Sequence, residues 1–218
     1  MPTGSAVIFD DFSSSKRRQK RITMTAVLIG IVCALCLGAK FVSLEKKGDT
    51  LPGALAKVEA QSGKLMIKRG AGTVAYKPGF IVLAGDTFQT IGESAVVITY
   101  LDDGTTIALG PDTTLLFNGS TGGKRTNMAA GVATFQIPPQ PEEQPMVLAS
   151  YNADATVTEA GTITQAYSGL ATSFEVASGS LRVRRYSDGR ITQLKAGQSH
   201  VCRPDDLGVI KFNPEGLK

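Results

Sequence analysis

Residues 22–39, ITMTAVLIGIVCALCLGA, run without a charged side chain and without a polar face. Continuing through Lys40 to Leu44 gives an apolar stretch of 23 residues, because Lys40 can snorkel to an interface. A helix crosses the hydrocarbon core with about 20 apolar residues at 1.5 Å each. The pattern therefore predicts a transmembrane helix over 22–44. From residue 45 onward no apolar recurrence at i, i+3, i+4, i+7 is sustained. Segments of 4–8 residues rich in Val, Ile, Thr, Phe and Leu alternate instead with Gly, Asp, Asn and Pro.

The expected strands are 55–60, 64–69, 73–77, 80–84, 95–101, 105–109, 113–117, 128–130, 132–137, 146–150, 155–159, 163–167, 173–176, 181–186, 190–194 and 201–202. Several show period 2. Leu181, Val183 and Arg185 fall on one face, with Arg182 and Arg184 on the other. Asp102-Asp103-Gly104 reads as a hairpin turn. Pro138-Pro139-Gln140-Pro141 through Pro145 cannot ladder and reads as a loop. The organisation predicted is a cytoplasmic tail (1–21), the span (22–44), a polar linker (45–54), a β-domain (55–203) and a C-terminal tail (204–218). The class is all-β after one N-terminal transmembrane helix, the outer domain being β-solenoid-like or a β-sandwich. No exact short repeat is present, which argues against identical solenoid rungs.

Charge changes this picture in one place. Lys16, Arg17, Arg18, Lys20 and Arg21 put five cations within six positions, immediately before the span. They orient the preceding end to the cytoplasm. The sequence pI near 9.0 is largely theirs: the first 21 residues carry net +3 of the total +4. The remainder, at +1, makes no nucleic-acid-binding face. The expected location is the bacterial inner membrane, with the β-domain periplasmic. A cleaved signal peptide, with Gly38-Ala39 near the cleavage point, is the alternative and implies secretion. Cys33 and Cys36 lie in the apolar run, so Cys202 is the one cysteine in the outer part and no internal disulfide is expected there.

Candidate chemistry is sparse. His200 is the only histidine, and with Cys202 at i+2 it shares a strand face, too little for a zinc site. Asp102, Asp103 and Asp112 bracket one hairpin region, without the ligand spacing of a calcium loop. No G-x-S-x-G motif occurs, Glu142-Glu143 sits in the proline-rich loop, and Gly122-Gly123-Lys124 is not a phosphate-cradling loop. No enzyme activity, cofactor or metal is expected. Arg182, Arg184 and Arg190 are the candidate partner contacts, with Arg185, Lys64 and Lys68 as further members of a cationic cluster. The bland reading of the same residues is a solvated strand face that discourages edge pairing.

Several motifs occur in a familiar order. Gly79-Phe80 is followed by Leu83-Ala84-Gly85-Asp86-Thr87-Phe88-Gln89-Thr90. Next come Ser94–Ile98 with Leu101-Asp102-Asp103-Gly104-Thr105-Thr106-Ile107-Ala108-Leu109, then Thr113–Phe117. Gly131–Ile137, Gly179–Val183 and Leu194-Lys195-Ala196-Gly197-Gln198 complete the set. Over about 145 residues, Val58 to Cys202, this order resembles the FecR-like domain of bacterial envelope proteins. The resemblance implies a non-enzymatic β-domain, in a family that includes single-pass regulators sensing an outer-membrane receptor and restraining a sigma factor. Only about 21 residues precede the span here, too few for a sigma-restraining bundle, so that role is not expected to carry over whole. The function anticipated is a membrane-anchored envelope protein whose β-domain binds a protein or glycan partner in the periplasm. The alternative is a reduced regulator whose short tail, through Val7-Ile8-Phe9 and Asp10-Asp11, contacts a transcription or sigma factor.

Overall fold

The computed structural model describes residues 53–204, apart from 121 and 122. The predicted span 22–44, the basic run Lys16–Arg21 and the C-terminal tail from 205 lie outside the described residues. Among the described residues there is no helix, and so none long and apolar enough to cross a membrane.

All regular structure there is β. The first seven strands are β1 (Ala54–Arg69), β2 (Gly72–Val74), β3 (Ile81–Leu83), β4 (Thr87–Tyr100), β5 (Thr106–Leu109), β6 (Thr114–Ser120) and β7 (Gly123–Ile137). The second seven are β8 (Val147–Ser150), β9 (Ala153–Glu159), β10 (Gly161–Tyr167), β11 (Thr172–Val176), β12 (Ser180–Arg185), β13 (Ile191–Lys195) and β14 (Ser199–Cys202). Every pairing between them is antiparallel except β7 with β8. This is not the stacking of parallel rungs that a β-solenoid requires, and the solenoid expectation gives way to the sandwich one.

The sandwich arises because β1, β4 and β7 each serve two sheets. The first sheet runs β2, the end of β1, the start of β4, β6, the start of β7, β8, β9, β12 and β13. The second runs β3, the start of β1, the end of β4, β5, the end of β7, β10, β11 and β14. The three long strands turn the corner between sheets at Gly63, Gly92 and Gly131, all with positive φ. Cross-sheet bonds confirm the face-to-face arrangement. Gln165 Nε2 on β10 donates to the Ala149 carbonyl on β8 at 3.0 Å, and the Ser150 and Thr172 hydroxyls meet at 2.7 Å.

Alternation then puts one residue in two into a shared core. On β4, Phe88, Thr90, Ser94, Val96, Ile98 and Tyr100 are buried. On β7 the buried parity switches from Thr126 and Met128 to Ala133, Phe135 and Ile137, with the extra residue taken up around Gly131. Phe80, Phe88, Phe117 and Tyr100 form an aromatic ladder between the sheets, with centroids 6.1, 5.4 and 6.1 Å apart. Fully burying one such ring contributes roughly 2–3 kcal/mol.

Several strand assignments differ from expectation: β4 begins at Thr87, where only 95–101 was expected, and β7 begins at Gly123, ahead of the expected 128. Segments 55–60 and 64–69 are one strand, β1, as are 128–130 and 132–137, β7. Positive-φ Gly63 and Gly131 lie within these continuous strands, at or near register shifts between Ser62 and Lys64 on β1 and between Met128 and Ala130 on β7, where turns or strand starts were expected. The sandwich consequently has a corner end, at Gly63, Gly92 and Gly131, and an open mouth. The chain comes into the mouth at Gly53, and Asp102, Gly123 and Pro141 lie beside it.

Candidate binding surfaces

Alternation along β12 places Arg182 and Arg184 outward and Leu181, Val183 and Arg185 inward. Their fates diverge. Arg184 sits directly across from Asp154 on β9 and donates twice to it, Nε at 3.1 Å and Nη2 at 2.6 Å. Its guanidinium also lies 5.8 Å from the Tyr186 ring centroid. Arg185 is buried and paired to Asp188, whose carboxyl is held far below its usual range by that guanidinium and by the Arg190 N–H. Arg182 and Arg190 are exposed, and neither side chain is in an ion pair among the described residues. Lys64 and Lys68 do not join them. They lie on β1, separated from β12 in the sheet by β4, β6, β7, β8 and β9. The predicted cluster therefore reduces to Arg182 and Arg190 as uncompensated cations, with Arg184 and Arg185 serving structure.

Beside them lies an apolar surface that pattern reading missed. Tyr151 is 78% exposed, Leu170 76%, Ile191 59% and Tyr186 43%. The turns carrying the first two and the end of β12 are tied together by Asn152. Its carbonyl accepts the Tyr186 N–H at 2.9 Å, and its Nδ2 donates to the Leu170 carbonyl at 3.2 Å. Arg125 reaches the Tyr186 hydroxyl at 3.4 Å. Ile191 faces Arg184 across the β12–β13 hairpin. Exposed apolar residues held near one another by such ties, with cations beside them that are unpaired among the described residues, mark a candidate docking surface. The available signal in the sequence was a large apolar residue inside each of two turns, Ser150-Tyr151-Asn152 and Ser168-Gly169-Leu170.

A second feature lies at the mouth. The Lys124 ammonium sits between Asp102 and Asp103, at 2.8 and 2.9 Å, and 5.6 Å above the Tyr100 ring centroid. It donates to Gln140 Oε1 at 3.2 Å, while Gln140 Nε2 donates back to Asp103. The Thr105 N–H and hydroxyl also donate to Asp103, at 2.9 and 2.8 Å. Burial alone would raise the Asp103 pKa. The bonds from Gln140, Thr105 and Lys124 outweigh it and hold the carboxyl down at about 2. Burial, helped by Asp102 and Asp103, pushes the Tyr100 phenol up. The network borders a cleft of about 650 Å³, with Leu55, Leu101, Asn118 and Gln144 on its other sides.

The three aspartates singled out for oxygen ligation are not brought together. Lys124 fills the space between Asp102 and Asp103, whereas Asp112 accepts the Gly92 N–H at 2.7 Å at the corner end. His200 and Cys202 do share a side of β14, opposite Phe174 and Thr172. Among the described residues no group of three His, Cys, Asp or Glu stands close enough to hold a metal ion.

No family model matches the chain, and no curated protein matches it. Solved structures do. Two are crystal structures of a putative anti-sigma factor from Parabacteroides distasonis ATCC 8503. One is 16% identical with a TM-score of 0.48, the other 15% identical with the same score. Each match covers 55% of this chain, and 55% or 56% of the other, so this chain spans about half the length of those it matches.

Proposed function

We propose that this chain is a non-catalytic, membrane-anchored bacterial envelope protein whose β-domain docks a periplasmic protein partner. The observation that carries the reading is the set of exposed residues Tyr151, Leu170, Tyr186 and Ile191 near Arg182 and Arg190, which are unpaired among the described residues. Apolar anchors in such a patch supply affinity, while the cations select the partner and speed encounter. Arg184 and Asp154 cancel, as do Arg185 and Asp188. Arg125, Arg182 and Arg190 then leave the patch cationic and favour an acidic, apolar-bearing partner surface. The uncharged run 22–39 with its preceding cations supports the anchor. The ordered motifs from Val58 to Cys202 support the FecR-like assignment.

Site-specific photocrosslinking in intact cells tests the docking. A photoreactive residue replaces Leu170 in the full chain, and in a control replaces Leu101 at the mouth. A discrete adduct from position 170 that disappears with Arg182→Glu/Arg190→Glu supports the reading. Adducts that are absent, or that ignore those charges, refute it.

A further inference from the structure

Strand β13 ends the first sheet, and among the described residues it pairs with β12 alone. Its bonding direction follows from the hairpin that leads into it. The Arg185 N–H donates to the Arg190 carbonyl at 2.9 Å. Antiparallel pairs alternate between bonded and non-bonded, so Thr192 and Leu194 bond to Val183 and Leu181. Ile191, Gln193 and Lys195 therefore turn their N–H and carbonyl groups away from the sheet. Two observations agree. On the other side of β12 the Tyr186 N–H donates to the Asn152 carbonyl, which puts Arg184 and Arg182 in bonded pairs with β9 and not with β13. At the far end of β13, Gln198 Oε1 accepts the Lys195 N–H at 2.8 Å, and the Gln198 N–H donates to the Lys195 carbonyl at 3.0 Å. Those bonds satisfy Lys195. The outward groups of Ile191 and Gln193 have no strand partner among the described residues. Sheet edges are ordinarily blunted by proline, a bulge or a charge. From Ile191 to Leu194 there is no proline, no register shift and no charged side chain.

We propose that β13 accepts an added strand: an extended, acid-bearing segment of the partner pairs its backbone with Ile191 and Gln193. Main-chain bonds to such an edge supply affinity, and alternate side chains supply selectivity. The inference rests on the docking reading and names the element of the partner that docks, since Ile191 belongs to both surfaces. The side chains of β13 set what fits. Leu194 is buried and Thr192 half-buried on the core face, while Ile191 is 59% exposed on the outer face. An added strand with apolar residues at alternate positions extends the core beside Leu194. Arg190 and Lys195 flank the open stretch, both exposed and neither in an ion pair among the described residues. They favour carboxylates near both ends of the incoming segment. A second copy of β13 fits less well, because it would gather Arg190 and Lys195 of both chains along one seam.

The test is fluorescence anisotropy of a labelled peptide, acetyl-Glu-Val-Thr-Val-Glu-amide, titrated with the full chain in detergent. The contrasting probe is acetyl-Lys-Val-Thr-Val-Lys-amide. Saturable binding of the acidic peptide is expected, with the basic one weaker by about threefold to tenfold. Gln193→Pro removes one outward donor and leaves the ladder to β12 intact, so it weakens binding by about tenfold or more. Gln193→Ala keeps that N–H and binds as the parent does. Ile191→Pro repeats the comparison if Gln193→Pro does not fold. Four results overturn the proposal. They are no binding of the acidic peptide, no preference for it over the basic one, equal effects of proline and alanine at 193, and protection of the Ile191 and Gln193 amides from hydrogen exchange in the unliganded chain. The last would mean that residues 205–218 or a second copy already cover the edge. A charge-dependent adduct at position 170 that ignores Gln193→Pro removes the added strand and leaves the docking reading standing. Peptide binding that obeys the proline and alanine contrast, with no adduct at 170, removes only the docking reading.

Discussion

Arg69 donates both Nε and Nη2 to the Asp86 carboxylate at 2.7 Å, and Asp86 is wholly buried while the Arg69 side chain remains a third exposed. The pair closes the strand ends at the mouth. Asp86 also accepts the Leu83 N–H at 2.8 Å, and Arg69 Nη2 donates to the Ile81 carbonyl at 2.8 Å. The guanidinium covers the Phe80 ring at 5.0 Å. What the sequence presents as Gly-Asp turn chemistry is thus an anchor joining β1, β3 and β4.

Unequal exposure makes the two halves of this pair unequal in cost. Arg69→Met leaves a buried carboxylate without its counter-ion and should destabilise by about 2–4 kcal/mol, the lower part of the range because Arg69 touches solvent. Asp86→Asn keeps an oxygen for the Leu83 N–H and leaves an arginine that can turn to water. It should cost about 1–2 kcal/mol. Urea unfolding of the two variants checks the order. Equal and negligible losses would show that the pair is ornamental.

Gly131 should be far less replaceable than Gly104. A Cβ on Gly131, at φ +89, would lie 2.4 Å from the Thr113 Cα and 2.8 Å from the Asp112 carbonyl oxygen, neither of which can swing away. Gly131→Ala should cost more than about 4 kcal/mol or prevent folding. At Gly104, φ +75, nothing lies within 4 Å, so Gly104→Ala should cost only the left-handed backbone term of about 1–2 kcal/mol. Thermal unfolding of both variants decides it.

The same glycine explains where the sequence was and was not readable. Period 2 along 181–186 correctly sent Arg185 inward with Leu181 and Val183, and Asp102-Asp103-Gly104 correctly marked a hairpin. These features depend on residues a few positions apart. Gly63 and Gly131 were read as breaks because a glycine that bends a strand from one sheet into the other looks locally like a glycine that ends it. Once β1 and β7 are continuous, long-range placement follows, and it is not local information. Arg184 meets Asp154 thirty residues away, and Lys124 meets Asp102 and Asp103 across two hairpins. Neutralisation of half the arginine cluster, and the existence of the mouth cleft, could therefore be seen only in the fold.

Acid should weaken the mouth before the core. The Asp103 carboxyl is depressed to about 2 against an ordinary 3.8. A depressed carboxylate contributes stability that is fully present above its unfolded pKa and is lost as pH falls through the folded value. The window is about pH 4 down to pH 2. The contribution is on the order of 1 kcal/mol once solvent screening at this partly open site is allowed for. Asp103→Asn should lose that increment at pH 7 and show a flatter stability profile across the window. A variant profile parallel to that of the parent would contradict the assignment.

Arg182, Arg184 and Arg190 should separate by function despite their proximity. Arg182 and Arg190 have no carboxylate partner among the described residues, so Arg182→Glu and Arg190→Glu should each change stability by less than about 0.5 kcal/mol. Their effect should fall on partner association, mainly through a slower on-rate and an altered salt dependence, because exposed rim charges steer encounter. Arg184 differs because Asp154 is buried and accepts two hydrogen bonds from it. Arg184→Ala should therefore lower the melting temperature, with Arg184→Ala/Asp154→Ala recovering part of the loss. Measuring the melting temperature and the position-170 crosslinking yield on the same four variants separates the roles. If Arg182→Glu lowers the melting temperature as much as Arg184→Ala does, the division between docking and structural arginines fails.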